Sequence, residues 1–221
     1  MEQPVWNPNT GSFFVSTPAF AGDQGGIAEI KTDGTVGALT KFASIAGGPA
    51  ACGSTGLAVG GSGNVMVGRG SGQAVLLHID PTTHIGSIVA TFPQISGTDE
   101  VWYDPTTHGF YVTGKDNSGN RVFDIISDIT DLVTQSVVLP VGSLSNPHSI
   151  AVDPFNGDVF VPLAGSTLTV PDAVCPLGCI AVFGVPEPGS LPIILFGGAA
   201  LLGFAAERRR HLFSRAPASR S

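Results

Sequence analysis

Four stretches of this chain can be laid over one another without a gap: WNPNTGSFFV (6–15), AVGGSGNVMV (58–67), WYDPTTHGFYV (102–112, with one residue of overhang) and VDPFNGDVFV (152–161). Their closing valines, Val15, Val67, Val112 and Val161, lie 52, 45 and 49 residues apart. Such a recurrence constrains the fold more than any local propensity does. Each unit must be one supersecondary element that buries its apolar face against the next.

Within a unit the pattern is apolar strand, turn, second strand with alternating apolar residues. Pro8, Pro105 and Pro154 fix φ near the value required at the second position of a turn. Asn7, Asp104 and Asp153 stand one residue earlier, where a short polar side chain can close the turn onto the backbone. Gly11, Gly63 and Gly157 share a column in which positive φ costs little. Further strand, polar turn and strand material follows three of the hairpins, and GCIAVFGV follows the fourth. The sum is about four strands per 45–50-residue unit, the spacing of a β-propeller blade.

Composition supports an all-β body. The chain has 30 glycines and 17 prolines in 221 residues, with only 12% charged side chains, so it suits short strands joined by tight turns better than long soluble helices. Residues 1–185 carry five basic and fifteen acidic side chains, whereas residues 186–221 carry five arginines and two glutamates. The acidic body lacks the clustered Lys and Arg that neutralising nucleic-acid phosphates requires, so no nucleic acid is expected as partner.

NPHSIAVDPFNGDVFVPLAG and DEVWYDPTTHGFYVTG resemble the opening phrases of blades in the NHL, gluconolactonase and surface-propeller group. The resemblance covers about residues 5–184 and implies a ring of six or seven blades, of which about four are present. MEQPVWNPNTGSFF has neither a basic leader nor an apolar core of a signal peptide. The expectation is an N-terminally truncated sequence, with further blades and a leader encoded ahead of Met1; the alternative is a compact four-blade ring.

The end of the chain is of another kind. Leu191–Ala206, LPIILFGGAALLGFAA, contains no charge. As a helix its 16 residues would span about 24 Å at ~1.5 Å per residue, enough to cross a bilayer if flanking residues such as Gly189 and Ser190 join in. Arg208, Arg209 and Arg210 follow and would stay cytoplasmic, leaving the body outside. A buried core helix is the plainer alternative; the terminal position, the lack of a polar face and the flanks oppose it.

Pro186-Glu187-Pro188, a short apolar helix and a basic cluster, in that order, resemble the PEP-CTERM sorting signal of Gram-negative bacteria. The resemblance implies an exosortase as partner, a transient membrane anchor, cleavage near Pro-Glu-Pro, and delivery to the cell surface or extracellular matrix, where exopolysaccharide is one ligand class. The expected organisation is blades over 1–184, sorting signal over 185–210 with a transmembrane helix at about 190–206, and a basic cytoplasmic tail over 211–221.

Chemistry is less plainly written. His148, in SNPHSIAV, shares a gap-free column with Asp99 and Ser54, and residues there are expected to converge on the mouth of a central channel. Resemblance to propeller lactonases and lyases would make His148 a base and Asp99 or Glu100 a metal ligand or the group that orients it. The alternative is that these polar residues cap turns and line a wet channel. No HxH, HExxH or DxDxDG pattern is present, so no metal site and no cofactor is expected. The histidines near the Asp-Pro-Thr-Thr-His turns, His78, His84 and His108, are expected to be exposed. Cys175 and Cys179 are spaced for a small-loop disulfide in an oxidising compartment or are free thiols, with Cys52 left over as a small buried residue. A binding or scaffolding role is expected ahead of that of a metal-dependent lactonase-like or lyase-like enzyme, and a permanently membrane-anchored propeller whose tail is never cleaved is the further alternative.

Overall fold

A computed structural model describes residues 2–18, 25–42, 53–70, 72–139, 147–163 and 178–184. All belong to one compact unit, Met1–Gly184. The expected sorting signal, its membrane helix and basic tail, and Cys52 and Cys175, lie outside the described residues. Among the described residues no helix is long and apolar enough to cross a membrane.

The fold is all-β and antiparallel, built of meanders that follow the sequence repeat. Blade 1 comprises β1 (Glu2–Asn7), β2 (Ser12–Thr17), β3 (Gly26–Ile30) and β4 (Val36–Lys41), paired in chain order. Blade 2 is β5 (Ser54–Val59), β6 (Val65–Arg69), β7 (Gln73–Ile79) and β8 (Gly86–Ser96). Blade 3 is β9 (Val101–Asp104), β10 (Gly109–Lys115), β11 (Arg121–Ser127) and β12 (Val133–Val138). Blades 2 and 3 are linked into one sheet by a single pair, Ser96 with Lys115. Blade 4 shows three strands among the described residues: β13 (Ala151–Val152), β14 (Asp158–Leu163) and β15 (Cys179–Gly184).

The turn chemistry expected from the repeat is realised. Asn7, Asp104 and Asp153 accept backbone N–H bonds through Oδ1 from Asn9, Thr106 and Phe155 at 2.9–3.0 Å. Gly11, Gly63 and Gly157 have φ of 64°, 81° and 74°. In blade 3 the same column is held by His108, with φ 52°, a conformation uncommon outside glycine.

Side-chain alternation gives each blade two apolar faces, and the faces pack in chain order. Phe14 and Ile27 of blade 1 join Leu57, Val65, Val67, Val75 and Leu77 of blade 2 in one buried cluster. Met66, Leu76 and Ile95 on the opposite face of blade 2 join Val101, Phe110, Val112 and Val122 of blade 3 in a second. Phe123 of blade 3 meets Phe183 of blade 4 edge-on, with ring centroids 5.2 Å apart. The first strands β1, β5, β9 and β13 contact one another in succession, the arrangement of innermost strands in a propeller.

Candidate functional site

The segments leading into the innermost strands are fixed by backbone contacts between blades. The N–H of Gly56 on β5 donates to the Asp99 carbonyl at 2.8 Å, and the N–H of Glu100 donates to the His148 carbonyl at 3.1 Å. Thr55 Oγ1 lies 2.9 Å from the Thr98 carbonyl oxygen and 3.1 Å from that of Asp99, and Thr113 Oγ1 donates to the Pro147 carbonyl at 3.0 Å. Two strand glycines make this approach feasible. A Cβ on Gly56 or Gly68 would overlap the Asp99 carbonyl oxygen.

Held in this way, Asp99 and His148 meet across the junction of blades 3 and 4. Asp99 Oδ2 lies 2.5 Å from His148 Nδ1, with the side chains 30% and 73% exposed. A carboxylate on Nδ1 fixes the ring and leaves Nε2 as the nitrogen able to exchange a proton with a bound molecule. Glu100 is exposed and supplies its backbone N–H to the same junction. Among the described residues no group of three or more His, Cys, Asp or Glu side chains is placed to hold a metal ion. The shared column therefore brings together two of its three members.

Ser54, the third, is fully buried and serves a different purpose. Its hydroxyl lies 2.5 Å from the Gly26 carbonyl oxygen and 3.0 Å from that of Thr17, and it accepts the Thr17 N–H at 3.1 Å. It clamps blade 2 to blade 1 instead of facing a channel, because here the two backbones approach closely enough for one hydroxyl to bridge them. Gln3 is a contact the repeat does not announce. Its amide donates to the Val101 carbonyl at 3.3 Å and accepts the Leu57 N–H at 3.0 Å, tying β1 to β5 and β9.

The histidine turns also differ from expectation. His78 and His108 are exposed as expected, but the side chain of His84 is only 24% exposed and its Nδ1 lies 2.6 Å from Glu29 Oε1 in blade 1. Burial pushes the Glu29 carboxyl up, yet the Ala38 N–H, His84 and Ser12 together hold it below its usual value. His108 Nδ1 lies 3.5 Å from Oδ1 of buried Asp128, whose Oδ2 receives the Tyr103 hydroxyl at 2.5 Å and the Gly61 N–H at 2.9 Å. Burial and the neighbouring Asp128 push the Tyr103 phenol up to about 12, so it remains a donor. A third carboxylate, Asp124 on β11, is buried without a hydrogen bond of ordinary geometry. Burial raises its pKa and the field of Asp116 adds to this, against a lowering by nearby Ser136.

Cys179 is disulfide-bonded, and its partner lies outside the described residues.

The repeated meanders, packed face to face with their first strands innermost, define a β-propeller-like fold. Three solved structures that the chain is similar to share it. A protein assigned as a 6-phosphogluconolactonase from Bacteroides uniformis matches at 14% identity and TM-score 0.55 over 82% of this chain and 53% of its own. A luciferin-regenerating enzyme matches at 17% and 0.53 over 83% and 61%, and a streptogramin B lyase at 14% and 0.52 over 85% and 55%. The chain thus spans between about half and three-fifths of their lengths. No protein-family model and no curated protein matches the sequence.

Proposed function

We propose that the chain is an exported propeller protein with a binding or scaffolding role at the cell surface or in the extracellular matrix. It is held transiently in the membrane by a PEP-CTERM signal and released by an exosortase. The observation that carries this reading is the ordered triplet of Pro186-Glu187-Pro188, the uncharged run 191–206 and Arg208–Arg210. The disulfide at Cys179 supports it, since such bonds persist in oxidising compartments and are rare in the cytosol. So does the low charge of the tail's apolar run against the acidic body, which separates an anchor from a soluble module.

The test is fractionation of the native host with an antibody to the propeller body. The expected result is release of a shortened protein from wild-type cells. Retention in the membrane is expected when the exosortase gene is deleted or Pro186, Glu187 and Pro188 are replaced by alanine. Identical fractionation in all three strains overturns the sorting reading.

A second reading rests on the Asp99–His148 pair. In a lactonase-like or lyase-like propeller enzyme His148 is the base and Asp99 the group that orients it. Turnover of a lactone panel that falls at least tenfold in His148→Ala and in Asp99→Ala supports it, and activity unchanged by both substitutions removes it.

A further inference from the structure

Two departures from the repeat meet beside the inner turns of blades 2 and 3. Where the other blades have Gly11, Gly63 and Gly157, blade 3 has His108, held at φ 52° although that backbone conformation favours glycine. Where the others have Asn9, Thr106 and Phe155, blade 2 has Gly61. Between them lies Asp128, 8% exposed. Its Oδ2 is engaged by the Tyr103 hydroxyl at 2.5 Å and the Gly61 N–H at 2.9 Å. Among the described residues no hydrogen-bond donor reaches its buried Oδ1, which lies 3.5 Å from His108 Nδ1.

A buried carboxylate oxygen without a partner is costly, and a carboxylate beside an imidazole ordinarily closes to a hydrogen bond. The Glu29–His84 and Asp99–His148 pairs do so, at 2.6 and 2.5 Å. The wider gap at Asp128 has the length of a coordination edge. Two donors each about 2.0–2.2 Å from one tetrahedral ion stand about 3.4 Å apart.

We propose that Asp128 Oδ1 and His108 Nδ1 bind a divalent cation of the zinc class, with water completing its shell. Imidazole beside carboxylate selects such ions over Ca²⁺ and Mg²⁺, which take oxygen ligands. The groups that orient the two ligands are in place. Tyr103 and Gly61 fix the carboxylate, and the Asp128 N–H donates to the His108 carbonyl at 2.9 Å, tying one ligand's backbone to the other's. Gly61 also keeps the space beside them open: a Cβ there would stand 3.9 Å from His108 Nδ1, 3.3 Å from Asp128 Oδ2 and 2.9 Å from the Tyr103 hydroxyl. The His108 side chain, 54% exposed, leaves an entry from water. Because Asp128 holds Gly61 of blade 2, an ion that orders its carboxylate also secures the junction of blades 2 and 3. The two ligands lie 20 residues apart, which is why no contiguous metal motif announces them.

Calorimetric titration of the full chain with zinc chloride at neutral pH, in a neutral detergent that keeps its apolar tail dissolved, tests this. His78→Ala, which removes an imidazole that faces Asn64, is expected to give the wild-type isotherm. His108→Ala and Asp128→Asn are each expected to weaken the tightest site at least about tenfold. Asparagine keeps an acceptor for Tyr103 and Gly61, and circular dichroism checks that the variants keep their β-structure. Gly61→Ala replaces Asp128→Asn if that variant does not fold, since it fills the space without removing a ligand. A wild-type protein that takes up no Zn²⁺ at millimolar concentration overturns the proposal, as does an isotherm that neither His108→Ala nor Asp128→Asn changes. Weakening by His108→Ala alone overturns the shared site in favour of a lone histidine. Mg²⁺ bound as tightly as Zn²⁺ overturns the class of ion.

Discussion

Asp-Pro-Thr-Thr-His occurs twice, at 80–84 in the outer hairpin of blade 2 and at 104–108 in the inner hairpin of blade 3. The backbone treats the two alike. Asp80 and Asp104 each accept the N–H two residues on through Oδ1, and His84 and His108 have φ of 58° and 52°. The side chains do not follow suit. His84 is partly buried on Glu29 of the neighbouring blade, a bond that joins blades 1 and 2. His108 lies in the open, 3.5 Å from Oδ1 of an aspartate of its own blade, an oxygen without a hydrogen bond, while Tyr103 and Gly61 both bond the other oxygen, Oδ2. Five residues suffice to specify a turn, but which blade the turn faces decides whether its histidine contributes stability.

Perturbing the two clusters should separate these roles. The largest effect is expected from Asp128→Ala, which strands the Tyr103 hydroxyl and the Gly61 N–H; urea denaturation should show a loss of about 3 kcal/mol. Next is Asp124→Val. This removes a buried carboxyl that no histidine partners and should stabilise the fold by about 2 kcal/mol at neutral pH. Its pH dependence follows from the raised pKa. Folding favours the protonated acid, so wild-type stability falls as pH rises from the unfolded value near 3.8 through the higher folded value, and Asp124→Val lacks that fall.

His84→Ala should cost about 1.5 kcal/mol and His108→Ala less than about 0.5. Glu29 has the opposite sign to Asp124. Its lowered pKa gives stability that is present above the ordinary value of 4.5 and lost as pH falls through the folded value, and acid denaturation of His84→Ala should show less of that loss. A gain of similarly small size, below about 0.5 kcal/mol, is expected from His108→Gly, which relieves the positive φ. His84→Gly should show no gain, because the bond to Glu29 is lost with the strain.

The blades were legible in the sequence because their signals are local and repeated: proline, Asx residue and glycine at fixed offsets, flanked by alternating apolar residues. The Asp99–His148 pair was half legible, since a shared column says that two residues stand at equivalent places in neighbouring blades but not that their side chains touch. Ser54 shows the limit of that reasoning, for the same column buried it. Contacts such as Glu29 with His84, 55 residues apart, carry no local pattern at all. The in-strand glycines Gly56 and Gly68 were the one available hint that a neighbouring backbone comes close at the candidate site.

Gln3 has a kinetic consequence. Its two amide bonds reach residues 54 and 98 positions later, so β1 cannot acquire its full set of inner contacts until β9, the first strand of the third blade, has been made. At roughly 5–20 residues per second, that is a wait of about 5–20 s on the ribosome. β1 thus leaves the ribosome well before the strands that lock it, and the packing of blades 1 and 2 stays reversible until β9 arrives.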